Sequence, residues 1–110
     1  MSLYRYDGWV TSETGQAVPG AQLFVCTQPA NLAQTVDPST GVPISAWTPT
    51  PLASIFSDVN GLEPVLQPLI SDGFGHYFFY AAAARYSIVI MNFGRVQQSY
   101  VDQVPAGAEV

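Results

Sequence analysis

The sharpest hydrophobic pattern lies near the middle of the second half. A polar, glycine-bearing turn, Ser71-Asp72-Gly73-Phe74-Gly75, opens into the aromatic run His76 to Ala81, and after the alanines and Arg85 a second β-prone run covers Tyr86 to Met91. The spacing predicts two neighbouring antiparallel strands. With a period of two, Tyr77 and Phe79 fall on one face and Phe78 and Tyr80 on the other. In the next strand Tyr86, Ile88 and Ile90 oppose Ser87, Val89 and Met91. Both faces are apolar, so both should be covered, one by the core and one by something else. At roughly 1.5–3 kcal/mol per fully buried side chain, either face could anchor a domain or an interface.

The rest of the chain supplies partners for this pair. Leu3 to Thr11, with Tyr4, Tyr6, Trp9 and Val10, predicts a first strand, and Ser12 to Gln16 a turn. From Ala21 to Cys26 the residues alternate again: Ala21, Leu23 and Val25 are assigned to the core, Phe24 and Cys26 to the outer face. A phenylalanine facing outward wants a cover. Leu52 to Phe56 predicts a strand, Ser57 to Gly61 a turn, Pro64 to Ile70 a proline-bounded edge segment, and Arg95 to Val101 a closing strand. Between them, residues 28–50 are punctuated by Pro29, Pro38, Pro43 and Pro49 around an Asp37-to-Gly41 turn. Prolines at that density exclude a helix or a long central strand, and predict a loop or arm. Leu32, Val42, Ile44 and Trp47 give the arm apolar anchors, which could dock on its own sandwich or on a neighbouring subunit.

These elements amount to an all-β, two-sheet Ig-like or prealbumin-like sandwich of about seven strands with a long Pro-rich loop. The domain would span residues 1–104, with 105–110 as a mobile C-terminal tail. At 110 residues such a domain buries roughly 65% of its unfolded surface and needs no disulfide or metal to fold.

Composition changes the picture in one respect. Only 10% of residues are charged and 48% are apolar, which implies that other chains cover part of the surface. The net charge of −5 repels phosphate backbones, so nucleic acid is excluded as a partner. No apolar stretch is long enough to span a membrane. Met1 to Asp7 lacks the basic start and apolar run of a signal peptide. Cys26 is the sole cysteine and reads as a small apolar strand residue.

Candidate chemistry is sparse. His76, the only histidine, lies near Asp72, but no Gly-x-Ser-x-Gly elbow accompanies it, so no catalytic residue is expected. Asp58, Asn60 and Asp72 carry oxygens that could hold calcium, yet their spacing fits no EF-hand and suits turn-capping better; no cofactor or metal is expected. Trp9, Trp47 or Tyr100, if exposed, could stack on a sugar.

Two resemblances extend this reading. Gly8-Trp9-Val10-Thr11 followed by Gly15 to Val25, with its Pro-Gly-Ala, resembles the opening of carboxypeptidase regulatory-like, prealbumin-type β-sandwiches. Gly75-His76-Tyr77-Phe78-Phe79 and Tyr86 to Ile90 are similar to later strands of the same domains. Pro51 to Gly61, Pro68-Leu69 and Ser71 to Tyr80 resemble a module of tailed-phage and prophage virion proteins, over roughly residues 51–103. The segment 28–50 departs from that module. The resemblance implies a non-enzymatic structural or accessory protein of a phage-like virion, released by host lysis. It would dock onto itself or onto a capsid or tail protein through Phe24, Leu32, Ile44, Trp47, Phe78, Tyr80, Val89 and Met91. The alternatives are a carbohydrate- or receptor-binding module taking a surface glycan, or an adhesive subunit of an extracellular filament.

Overall fold

The computed structural model describes residues 2–109. Seven strands follow in order: β1 (Leu3–Trp9), β2 (Gln22–Asn31), β3 (Thr50–Leu52), β4 (Leu69–Ile70), β5 (His76–Ala82), β6 (Tyr86–Asn92) and β7 (Arg95–Gln103). The described residues contain no helix. β1 and β5 form a two-stranded sheet; β3, β2, β6 and β7 form a second sheet in that order, with β4 also on β2. Every pairing is antiparallel. Between the sheets lie Leu23 and Val25 of β2, Ile88 and Ile90 of β6, and Tyr77, Phe79 and Ala81 of β5. The alternation assigned to β2 and β5 therefore holds: the chain is an all-β sandwich.

One expectation is overturned. β5 and β6 do not pair with each other; they belong to opposite sheets. Side by side, their apolar faces would have shared one surface and still needed a lid. Face to face, Phe79 and Tyr86 meet edge-on with ring centroids 6.4 Å apart, and each strand supplies the other's cover. Residues 83–85 make the crossing, and the Tyr86 hydroxyl donates to the Ala82 carbonyl at 2.8 Å to hold it.

The expected strand Leu52 to Phe56 also resolves into a crossing. β3 ends at Leu52; Ala53 N–H still donates to Val25 of the larger sheet (2.8 Å), whereas Phe56 exchanges backbone bonds with Tyr80 of the smaller one (2.9 and 2.8 Å). Ala53 and Ile55 are buried along the way. Of the proline-bounded segment 64–70, only Leu69–Ile70 pairs as a strand. In the gap between β3 and β4 the Gln67 side chain acts as a ladder partner. It accepts from Val25 N–H at 2.6 Å and donates to the Val25 and Ala53 carbonyls, both at 2.8 Å.

The Pro-rich segment begins later than its composition predicts, because β2 runs on to Asn31. Past the Thr27–Tyr86 pair β6 has no further residue opposite β2, so Pro29 deprives that ladder of no donor. On the other side Pro29 lies in the irregular register between Cys26–Leu52 and Asn31–Thr50. Residues 32–49 then form an arm with internal order. Val36 bridges Pro43, Ile44 N–H donates to Thr35 (2.8 Å), and Gly41 N–H closes the turn on Asp37 (2.7 Å).

The segment expected as a tail begins against the sandwich. Pro105 is fully buried, and Ala106 N–H donates to the Arg5 carbonyl at 2.9 Å, covering part of the β1 edge. Met1 and Val110, the ends of the expected domain and tail, lie outside the described residues.

Candidate functional site

Each sheet has an outer face, and the two differ in chemistry. On the larger sheet, Phe24 of β2 and Val89 and Met91 of β6 point away from the core and are nonetheless buried. Their cover is the chain's own arm: Leu32 and Trp47 pack on them together with Val96 of β7. Gln34 fastens the arm at its root. Its amide donates to the carbonyls of Gly94 (2.8 Å) and Ile44 (2.9 Å), and its oxygen accepts from Val96 N–H (3.1 Å). Gly94 sits so close to Ser45 that an added Cβ would lie 2.7 Å from the serine Cβ. A glycine in the β6–β7 turn is thus needed for the arm to seat.

Five of the eight residues assigned to an interface, Phe24, Leu32, Trp47, Val89 and Met91, therefore meet within one chain. Ile44 lies on the solvent side of the arm with Val36 and Val42. In the β6–β7 turn, next to Gly94, Phe93 is 95% exposed and holds a positive φ of 53°. A bulky side chain seldom adopts that backbone region, and strain of this kind concentrates where a loop is used.

Phe78 and Tyr80, the other two, stand on the outer face of the two-stranded sheet, which the arm does not reach. Register sets their neighbours: Tyr80 is opposite Arg5, Phe78 opposite Asp7, and His76 opposite Trp9. The rings form a row along the sheet. Trp9 and His76 have centroids 5.0 Å apart, His76 and Phe78 6.2 Å, and Phe78 and Tyr80 6.3 Å, where Tyr80 turns edge-on and ends the row. The Arg5 guanidinium lies 4.3 Å over the Phe78 ring. It also grips Asp7 in a fork, Nε to Oδ2 at 2.9 Å and Nη2 to Oδ1 at 3.0 Å. His76 Nε2 contacts the same carboxylate at 2.8 Å, and Asp72 lies 3.8 Å from Nδ1. The Arg5 fork, followed by His76, holds the Asp7 carboxyl below its usual range.

Of these residues Arg5 and Asp7 carried no expectation, whereas Trp9 was expected to stack on a sugar if exposed and His76 was noted near Asp72 with no catalytic role. Their signal was the period of β1: Arg5, Asp7 and Trp9 alternate with Tyr4, Tyr6 and Gly8. Gly8 is needed inside, because any Cβ there would collide with the Tyr77 ring.

The candidate chemistry elsewhere is spent on turns. Asp58 accepts from Leu62 and Glu63 N–H, Asp72 from Phe74 and His76 N–H, and Asp37 from Ser39. These bonds hold all three carboxyls below their usual range. Among the described residues no three His, Cys, Asp or Glu side chains gather as metal ligands. The His76 ring faces carboxylates, and burial pushes the Cys26 thiol up to about 11, far from a reactive thiolate.

No family model, curated protein or solved structure matches this chain.

Proposed function

We propose that the chain is a non-enzymatic structural or accessory module of a phage-like virion. It docks onto copies of itself, or onto a capsid or tail protein, through the exposed surface of the arm and the β6–β7 turn. The observation that carries this reading is Phe93, a fully exposed phenylalanine at positive φ in the turn whose Gly94 packs on Ser45 of the arm, next in sequence to the exposed Ile44. A large apolar ring held in a costly conformation in water has a use when a partner covers it. Scarce charge and the likeness of residues 51–103 to a phage virion module supply the context.

The test is the mass of the purified protein by light scattering across concentration, followed by a pull-down with capsid and tail proteins. We expect a fixed multimer, or retention of one particle protein, and loss of either in a Phe93→Ser, Ile44→Ser double variant that still folds. A monomer at all concentrations that retains no particle protein would remove the reading.

A further inference from the structure

The outer face of the two-stranded sheet is unlike the apolar patch around Phe93, because its rings are interleaved with fixed hydrogen-bonding groups. Trp9, 61% exposed, presents an indole at the open end of the ring row. Phe78, by contrast, is already roofed by Arg5. Two residues back along β1, about 6.6 Å at strand rise, stands Asp7 in the grip of Arg5 and His76. That separation is about the width of one pyranose ring.

The inventory of unused donors and acceptors narrows the ligand. A carboxylate offers about four acceptor sites, and Asp7 has three filled, by Arg5 Nε, Arg5 Nη2 and His76 Nε2. Arg5 has five donors, two of them spent on Asp7. The cluster thus keeps several donors and one acceptor, held rigid by mutual bonds, next to an open aromatic face. Vicinal hydroxyls, which both accept and donate, meet that array, while the C–H face of a sugar ring meets the indole. Preorganisation spares the cost of ordering these side chains on binding.

Charge narrows it further. The guanidinium and carboxylate neutralise each other, exposed Asp72 lies beside the row, and the chain carries −5. This balance disfavours phosphates, sulfates and uronic acids. A charged protein surface would find Arg5 and Asp7 already paired and would have to desolvate them. The cleft of 310 Å³ between the turn that follows β1, at Val10 to Glu13, and Gln97 and Gln98 of β7 has no aromatic ring in its lining.

We propose that this face is a saccharide-binding platform on which a neutral pyranose of a surface glycan stacks on Trp9 and hydrogen-bonds to Arg5, Asp7 and His76. It is a different surface from the one assigned above to particle docking, and its test does not depend on that assignment.

The intact chain is probed on an array of neutral and acidic glycans, and hits are titrated by calorimetry and by tryptophan fluorescence. Trp9 and Trp47 are the two tryptophans, so Trp47→Phe leaves Trp9 as sole reporter; calorimetry on the natural chain covers the case in which that variant folds poorly. The expected result is saturable binding of at least one neutral oligosaccharide with a change in Trp9 emission. Trp9→Ala should weaken it at least tenfold with an unchanged circular dichroism spectrum, and Asp7→Asn should weaken it less. Phe93→Ser should leave it untouched. Absence of saturable binding across the neutral glycans overturns the proposal, as does equal binding by Trp9→Ala. A particle protein retained by the natural chain and lost in Trp9→Ala, with no sugar bound, would make the face a protein interface instead. Sugar binding without particle docking would leave the platform standing and remove only the virion assignment.

Discussion

The two outer faces of this sandwich start from the same problem and reach different solutions. Both carry large side chains pointing away from the core: Phe24, Val89 and Met91 on one, Trp9, Phe78 and Tyr80 on the other. The first set offers water nothing better than the weakly accepting thioether of Met91. The chain spends residues 32–49 on a cover for it. The second set is threaded with Arg5, Asp7 and His76, whose polar ends keep the face hydrated while their flat surfaces shield the rings. An apolar strand face is therefore no evidence of a second molecule by itself. What matters is whether the same chain has spare length to cover it.

The harshest way to break the comparison is to strip the cover. Replacing residues 33–48 by a short Gly-Ser link would expose Phe24, Val89 and Met91 together. At 1.5–3 kcal/mol per buried side chain we expect a loss of roughly 5 kcal/mol, comparable to the whole stability of a small domain. Urea melts should show the loss, and light scattering should show self-association. A soluble monomer with an unchanged midpoint would mean that the arm is not what keeps this face dry.

A gentler version pits two phenylalanines against each other. Phe24→Ala removes a side chain packed under the arm and should cost about 3–4 kcal/mol. Phe78→Ala, on the open face, loses half-exposed surface and one cation–π contact, and should cost about 1 kcal/mol or less. Equal costs would show that the open face is as structural as the covered one.

How much of this contrast was legible follows from what period two encodes. Alternation says which side of a strand a residue takes, so Ala21, Leu23 and Val25 were placed in the core and Tyr77 and Phe79 on one shared face from sequence alone; the structure has the first three in the core and shows that the face of Tyr77 and Phe79 is the one that joins them. Alternation does not say which strand lies alongside. β5 and β6 read as a hairpin because they are consecutive, and only the three-dimensional fit of Phe79 against Tyr86 separates them into two sheets. The arm's anchors were equally visible and equally mute. Leu32 and Trp47 announce that the segment docks, while its address depends on Gln34 reaching Gly94 and Val96, a contact across sixty residues with no local signature. Arg5 and Asp7 were passed over for the opposite reason: charge on a strand reads as plain solvent face until Trp9 and His76 are seen beside it.

That clamp gives the next test in size. Gln34→Ala removes three hydrogen bonds and leaves the partly buried Gly94 carbonyl and Val96 N–H to find other partners. A loss of about 1–3 kcal/mol is expected. Proteolysis within 32–49 should quicken at the same time, reporting an arm that lifts more often. A melt as stable as the natural chain's would place the arm's hold in Leu32 and Trp47 alone.

The smallest expected effect belongs to the open face and is read against pH. Asp7 is held below its usual range by Arg5 and then His76, so folding favours its ionised form. A carboxyl whose folded pKa lies below the unfolded value of about 3.9 contributes stability that is present above that value. The contribution is lost as pH falls through the folded pKa. Asp37, Asp58 and Asp72 are depressed by their own turn bonds and give the natural chain and an Asp7→Asn variant a shared acid decline. The difference between the two proteins isolates Asp7: the natural chain should be slightly more stable at pH 6, with the gap closing as the pH falls below about 4. Because the Arg5–Asp7 fork is partly exposed to solvent, the gap should be modest and should shrink in molar salt. Parallel curves with no gap at any pH would mean that the fork orders the ring row without stabilising the fold. The open face would then owe its shape wholly to the strands beneath it.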